Sequence, residues 1–421
     1  MFSLHFPTHT VHHGADRDGV MHDAEHIISW VLRGGVLLSA GVIILGLALF
    51  AAEGARVHAF PHTLPAVMHG VTHGDPLSIV VLGLLLLLCT PVLRVAVSII
   101  AFALEGDRRY VAITSLVLAL LLLSMTVLGA ISGGHPASPM PAETGVAFIG
   151  IFAASIVAGL VGALVGLGGG VFVVPLLAVG FGMPIEVAIG ASIVSVIATS
   201  SGAAAAYVRD HLTNLRVGMF LEIATTLGAI CGAFLAALLA PSALFVVFGG
   251  VLLASALPLI HKLGEDLPQG VTNDRWASRL ALASSYPDPA CGGDVAYAVT
   301  HVPSGFGLMT IAGLISGLLG IGSGTFKVLA MDVVMRLPMK VSSTTSNFMI
   351  GVTAAASAGI YFQRGAIQPL IAAPVALGVL AGAMAGAKVL PHLSNSAIRK
   401  IFVPILIAIA LEMLVRGLWQ Y

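Results

Sequence analysis

Residues 304–336 read SGFGLMTIAGLISGLLGIGSGTFKVLAMDVVMR. This apolar stretch is too long for the ~20 residues that cross a bilayer, and it is interrupted at Gly320-Ile321-Gly322-Ser323-Gly324. Residues 145–181 have the same form, carrying Gly166-Leu167-Gly168-Gly169-Gly170 and then Val171-Phe172-Val173-Val174-Pro175. At the offset of 154 residues that lays Gly159 on Gly313, the two regions and the apolar stretches after them match without a gap. The identities include Leu164/Leu318, Gly168/Gly322, Gly170/Gly324, Phe172/Phe326, Pro184/Pro338, Ser192/Ser346, Tyr207/Tyr361, Gly228/Gly382 and Gly232/Gly386. Composition bias explains chance pairs of Gly or Ala, but not Pro, Phe and Tyr matching at one offset. The second half of the chain is an internal repeat.

Composition sets the solvent. Hydrophobic residues make up 58 % of the 421 and charged residues 9 %, against roughly 25 % charged in a soluble protein. Nineteen basic side chains balance nineteen acidic ones, which excludes a nucleic-acid footprint. The three cysteines, Cys89, Cys231 and Cys291, form no CxxC, so neither a disulfide framework nor a zinc site is expected. The expected fold class is all-α: a polytopic helical membrane protein with two internal, inverted repeats containing glycine-broken helices.

Apolar stretches at about 27–52, 77–103 and 110–131 predict three helices ahead of the repeats, with Pro91 kinking the second. Arg33 and Arg94 fall within these stretches and read as snorkelling side chains. Further spans are expected at 185–208, 215–240, 242–262, 341–362, 366–390 and 396–418. The stretches 145–181 and 304–336 are each either two crossings or one helix plus a re-entrant half-helix, and placing Arg108 and Arg109 in the cytoplasm favours two crossings by the positive-inside rule. If 145–181 and 304–336 each cross twice, then Arg209, Arg216, Lys262, Arg275, Arg279, Arg336, Lys340, Lys388, Arg399 and Lys400 all face inward. Only Arg56, Arg364 and Arg416 then face outward. Five crossings per repeat is an odd number, so the second repeat is inverted relative to the first. The expected organisation is an N-terminal membrane module at 1–140 with His-rich polar segments, repeat 1 at 141–262, a cytoplasmic linker at 263–303 and repeat 2 at 304–421.

Inverted repeats are a transporter architecture, with substrate held near the midplane at interrupted helices. Unwound backbone is tolerated in lipid only where it lines a cavity, and the next half-helix offers unpaired N–H groups that suit an anion. Neither glycine cluster ends in the Lys-Ser/Thr of a P-loop, so a nucleotide site is not expected. The candidate substrate contacts are Gly168, Gly169, Gly170, Gly322, Ser323, Gly324 and Thr325, with Lys327 three residues beyond the last glycine. A lysine inside a span costs roughly 2.5–3.5 kcal/mol unless it faces water, a partner or a substrate. On the following helices, Ser192 and Ser346 are repeat-equivalent and Asn347 is adjacent, which makes these three candidates for substrate hydrogen bonds. Tyr207 and Tyr361 read as interfacial belt residues.

These residues resemble the sulfite exporter TauE/SafE family of membrane transporters over about 145–418. The resemblance is carried by Gly166–Gly170 with Pro175, by Gly190-Ala191-Ser192, by Gly320–Gly324 with Phe326-Lys327, and by Thr345-Ser346-Asn347-Phe348-Met349-Ile350-Gly351. It implies a helical exporter of small sulfur-containing anions or organic acids in the bacterial cytoplasmic (inner) membrane, with the glycine motifs near the substrate path. Ser323, Leu329 and Asp332 depart from the pattern, and the helices at 27–131 lie outside it.

Moving one charge through the membrane potential is worth about 2.3 kcal/mol per 100 mV, so anion export runs electrically downhill while import needs a coupling ion. Glu222 and Asp332 are the acidic residues placed to carry a proton. The pairs His58/His62 and His69/His73 have helical metal-ligand spacing, but Pro61 and Pro65 break a helix there, so a soluble loop is expected. The resulting expectation is a secondary transporter exporting a small anion such as sulfite, a sulfonate or an organic acid anion. An anion channel and a proton-coupled importer are the alternatives. No metal, cofactor, nucleic acid or enzymatic activity is expected, since no HExxH, GxSxG or paired-carboxylate constellation is present. The expected partners are the anion and the lipid bilayer, and self-association into a homo-oligomer stays open.

Overall fold

The computed structural model describes residues 14–53, 64–128, 145–165, 169–209, 211–261, 270–288, 293–389 and 395–419. Four helices come first: α1 (Gly14–Ala52), α2 (Leu64–Thr72), α3 (Pro76–Leu104) and α4 (Arg108–Leu123), the last running into a π-helical turn at Ser124–Leu128. Asp75 caps α3 by accepting from the Ser78 N–H, with Pro76 at the first helical position, where its missing N–H costs nothing. The α2 helix is an addition to the three expected here.

Repeat 1 contains α5 (Gly145–Val165), α6 (Gly170–Pro175) with a π turn at Leu176–Gly180, α7 (Ile185–Arg209), α8 (Leu215–Leu238) and α9 (Pro241–His261). After α10 (Arg275–Arg279) and strands β1 (Ser284–Asp288) and β2 (Gly293–Tyr297), repeat 2 contains α11 (Val302–Leu319), α12 (Gly324–Leu329) with a π turn at Ala330–Val334, α13 (Met339–Gln363), α14 (Pro369–Val389) and α15 (Asn395–Trp419). The starts of α6, α7, α8 and α9 recur in α12, α13, α14 and α15 at the offset read from the sequence, and the π turns recur with them. The chain is a polytopic helical membrane protein. Seven helices among the described residues are long and apolar enough to cross a membrane. The α13 helix is not one of them by apolarity, because its first half carries Ser342 through Asn347. It can afford these groups because nearly all of Val341–Tyr361 is buried by protein rather than facing lipid.

The repeats pack by exchanging partners. α5 lies against α14 and α8 against α11, while α7 and α13 meet at the centre and α9 pairs with α15. A Cβ on Gly159 would strike the Val379 backbone, and one on Gly313 would strike the Thr225 backbone. These two contacts are the same contact under the offset of the repeat. The same holds for Gly228 against the Thr310 backbone and Gly382 against the Ile156 backbone. Each contact therefore recurs in the other half with the roles of the two helices exchanged. Small residues are what let these backbones touch in lipid, where the hydrophobic effect does not drive helices together. The start of α7 meets the turn after α13, at Gly190 against Ala366, and the start of α13 meets the turn after α7, where Thr344 Oγ1 bonds Leu212 O at 2.7 Å. The two central helices therefore run antiparallel.

The expected linker carries structure of its own. β1 and β2 form an antiparallel hairpin from Ser284↔Tyr297 to Asp288↔Gly293, and these are the only strands among the described residues. The segment docks at the end of the bundle that holds the 105–110 turn: Tyr110 Oη donates to Leu280 O and Arg109 Nη1 to Arg279 O, each at 2.8 Å. Asn214 joins this cap to the membrane helices. Its Oδ1 caps α8 through the Val217 N–H at 2.9 Å, while its Nδ2 donates to Leu282 O at 2.9 Å and Tyr297 Oη at 2.8 Å. Burial pushes the Tyr297 phenol up to about 12, so it stays neutral in this role. Asn214→Ala is expected to lose about 1–2 kcal/mol and to speed amide exchange in 284–297. Thermal unfolding in detergent and hydrogen-exchange mass spectrometry read both, and an unchanged exchange pattern would contradict the assigned clamp.

Candidate functional site

The chain breaks where the glycine clusters stand. α11 stops at Leu319 and α12 starts at Gly324, with Gly320, Gly322 and Ser323 at φ of +67°, +73° and +47° between them. Glycine adopts these left-handed values freely; serine does not, so Ser323 departs from the glycine pattern at a position that favours glycine. In repeat 1 α5 is described as far as Val165 and α6 starts at Gly170 after Gly169 in a turn, while residues 166–168, Gly168 among them, lie outside the described residues. The two breaks meet at Ser192. Its Oγ lies 3.1 Å from Gly170 O and 2.8 Å from Gly320 O, one carbonyl from each break. Ser346 repeats the first of these bonds, reaching Gly324 O at 3.2 Å. A hydroxyl has one proton to donate, so in this conformation both serines hold backbone rather than presenting a donor.

The charges gather one turn further on. Lys327, on α12, is fully buried, and its Nζ donates to Thr353 Oγ1 of α13 at 2.5 Å. Thr353 Oγ1 lies 2.8 Å from Glu222 Oε1 and 3.2 Å from Thr225 Oγ1, both of α8. Glu222 is 1 % exposed, and its Oε2 has no hydrogen-bond partner. An ammonium and a carboxylate are thus held on either side of one threonine, sealed from solvent, between the broken helix of repeat 2 and α8 of repeat 1. Buried charges are costly unless paired and hydrogen-bonded, and ionisable groups inside membrane spans mark substrate or ion pathways.

Arg94 corrects the snorkelling expectation. It stands ten residues before the end of α3, about 15 Å along the axis, farther than an arginine side chain extends. It is fully buried. Its Nη1 donates to Phe348 O, its Nη2 lies 3.2 Å from Ser201 Oγ, and its guanidinium covers the Phe348 ring at 4.9 Å. Ser201 also meets Thr90 Oγ1 at 3.0 Å, so α3 is tied to α7 and α13 by two polar side chains. At the bundle end, Arg216 of α8 pairs with Glu105 at 2.5 Å and Asp107 at 3.3 Å in the α3–α4 turn.

The remaining candidates are dispersed. Asn347 Nδ2 bonds Ser343 O of its own helix at 3.1 Å, and Thr325 Oγ1 meets Ser255 Oγ at 3.3 Å. Asp332, in the π turn after α12, is 8 % exposed. Gly169 and Gly170 pack on α14 and α7: a Cβ at Gly169 would strike the Val379 side chain and one at Gly170 the Val196 side chain. Tyr361 is not an interfacial belt residue; it is 1 % exposed, and its Oη lies 3.0 Å from both Gly317 O and Leu318 O, pinning the end of α11 just before the break. The side chain of Tyr207 lies outside the described residues. Thr353, which bridges the two charges, carried no sequence signal, being one threonine in an alanine-rich run. His69 and His73 stack with ring centroids 4.1 Å apart at the exposed end of α2, while His58 and His62 lie outside the described residues. Among the described residues no three His, Cys, Asp or Glu side chains gather as metal ligands would.

Residues 151–413 match the family described as sulfite exporter TauE/SafE, and residues 28–126 match a family described as a protein of unknown function, DUF1634. The chain is 25 % identical over 282 residues to the "Probable membrane transporter protein YunE" of Bacillus subtilis (strain 168), covering 65 % of this chain and all of that protein. It is also 25 % identical over 231 residues to the "Probable membrane transporter protein YdhB" of the same organism, covering 55 % of this chain and 85 % of that one. No solved structure matches. With well over half its length matched, the chain belongs to the sulfite exporter TauE/SafE family and is an integral membrane transporter of that type.

Proposed function

We propose that the protein exports a small anion, such as sulfite, a sulfonate or another small organic acid anion, across the bacterial cytoplasmic membrane. The observation that carries this reading is Lys327, a fully buried ammonium on the half-helix that follows a broken transmembrane segment. In this conformation the Glu222 carboxylate faces it across Thr353, and an anion that took the place of the carboxylate would meet a fixed positive charge at that depth. The unpartnered Ser323 Oγ in the break supplies a further donor. The antiparallel packing of α7 and α13 supports inverted repeats, whose rocking would open Lys327 to one side of the membrane and then the other. Export needs no coupling ion, because an anion leaves a negative interior downhill.

A second reading has its own support in Glu222, whose buried carboxylate is hydrogen-bonded toward Lys327 through Thr353 and would serve as a proton carrier for import. One experiment addresses both. Proteoliposomes loaded with unlabelled sulfite, methanesulfonate, thiosulfate or a short carboxylate are assayed for counterflow of the labelled anion, with and without a pH gradient. Export predicts saturable, trans-stimulated exchange of at least one sulfur anion, indifferent to the gradient. Acceleration by an inward proton gradient would replace export with proton-coupled import. Flux without saturation or trans-stimulation would indicate a channel, and no anion flux would overturn the reading.

A further inference from the structure

At one end of the bundle the level of the lipid surface is marked by the side chains. On α3 the outward residues stay apolar to the last turn, with Ile100 59 % and Leu104 65 % exposed. On a membrane-crossing helix such side chains meet acyl chains. The residues that follow, Glu105 to Arg109, are polar and lead into α4, so the headgroup layer lies level with this turn. The segment ahead of the hairpin is fastened to the same turn: Arg109 Nη1 donates to Arg279 O and Tyr110 Oη to Leu280 O, each at 2.8 Å. α10 is thereby held at headgroup height. At 100° per residue, Arg275, Trp276 and Arg279 fall within about 100° of one face of its single turn, and Ala277, on the other side, is buried. Trp276 is 50 % exposed, and tryptophan concentrates where membrane meets water.

Charge at this place is one-sided. Arg108 and Arg109 open α4, Arg275 and Arg279 stand one turn apart on α10, and all four are exposed. The nearby acids are engaged elsewhere. Glu105 and Asp107 both pair with Arg216. Asp274 caps α10 through the Ala277 N–H at 2.6 Å, and its other oxygen accepts from the Val302 N–H at 2.9 Å. Among the described residues no carboxylate pairs with any of the four arginines, and the side chains of Arg108, Arg275 and Arg279 make no hydrogen bond.

We propose that the outer face of α10, with the head of α4, is a docking surface for anionic phospholipid: Arg108, Arg109, Arg275 and Arg279 receive the headgroup phosphates and Trp276 sits among the glycerol groups. The planar guanidinium fork matches phosphate geometry, and basic clusters just outside a membrane helix attract anionic lipid. The hairpin segment is then held from two sides, by Asn214 and Tyr110 on the bundle and by lipid on the outer face. The surface shares no residue with the Lys327 site, so the outcome of the anion counterflow assay leaves this proposal as it stands.

The test uses the full-length chain carrying Trp30→Phe and Trp419→Phe, which leaves Trp276 as its one tryptophan. The protein is placed in phosphatidylcholine vesicles containing a small fraction of lipid with a nitroxide near the glycerol end of one acyl chain. Each arginine near an anionic surface is worth about fivefold in lipid partition, so two engaged arginines give about 25-fold. Labelled phosphatidylglycerol is therefore expected to quench Trp276 at least about 25-fold more steeply than labelled phosphatidylcholine at equal content. Arg108→Gln/Arg275→Gln/Arg279→Gln is expected to bring that ratio to about fivefold or less, with Trp276 still quenched by both lipids. Trp276 unquenched by either lipid would place α10 in water and overturn the proposal. So would quenching without preference for phosphatidylglycerol, or a triple variant that keeps the parent ratio. A further arm on the parent protein stays readable should the triple variant not fold. Inorganic phosphate added at constant ionic strength is expected to leave the ratio unchanged, and a ratio that collapses would assign the arginines to a free anion and overturn the lipid assignment.

Discussion

Lys327→Ala is expected to reduce anion counterflow about 100-fold or more while the protein remains in the membrane. A charge-assisted hydrogen bond to a dehydrated anion contributes about 1.5–3 kcal/mol, and about 2.7 kcal/mol corresponds to two decades in affinity. The Lys327 ammonium is the group that the anion would meet beside the break, and nothing else on α12 can replace it. Removing it also leaves the Glu222 carboxylate facing two threonine hydroxyls, Thr225 at 3.2 Å and Thr353 at 2.8 Å. Breaking a buried pair in this way costs about 3–5 kcal/mol, so the variant is less stable as well as inactive. Lys327→Gln separates the two effects, because an amide of similar length keeps a hydrogen bond to Thr353 without the charge. Transport is compared at equal amounts of monodisperse protein. Activity within twofold of wild type in both variants would make Lys327 a structural counter-ion of Glu222.

The second large effect is on folding. Gly228→Val and Gly382→Val are expected to abolish the yield of folded protein, and to do so alike. At each position the new Cβ would occupy the space of backbone on the partner helix, Thr310 through Leu314 for the first and Ile156 through Leu160 for the second. Backbone cannot move aside as the end of a side chain can. Overpacking ordinarily costs about 1–3 kcal/mol, and displacing a whole helix costs more, so a loss of at least ~3 kcal/mol is set against total stabilities of about 5–15 kcal/mol. Gly250 and Gly307 have open space where a Cβ would go, and substitution there by Ala is expected to be tolerated. Fluorescence size exclusion of the four variants reads the result. A well-folded Gly382→Val protein would contradict the close α5–α14 backbone contact.

Much of this architecture is legible in the chain because it is local and repeated. Lipid requires long apolar helices, and the ungapped offset carries element starts from one half to the other. The breaks follow from glycine clusters in stretches too long for a single helix. Lys327 is conspicuous because a lysine in such a stretch demands a reason. What escaped is tertiary and distant in sequence. Arg94 is indistinguishable from a snorkelling residue until α3 is seen against Phe348, 254 positions away. Along the chain the acidic neighbour of Lys327 is Asp332, five residues on, whereas in the fold the lysine faces Glu222 on another helix. Tyr361 reads as a belt residue by its place near a helix end and is instead buried under the turn before Gly320. The hairpin at 284–297 sits in a segment whose polar composition predicts only a connector.

On the proposed function a small anion binds at Lys327, between the broken helix of repeat 2 and α8. Selenite, a sulfite analogue with an anomalous scatterer, tests it most directly in a crystal of the full-length protein. The predicted result is a single strong selenium peak within hydrogen-bond distance of Lys327 Nζ, absent from Lys327→Gln crystals grown alike. A peak bound elsewhere in the molecule, or a Lys327 site that stays empty at saturating selenite, would contradict it.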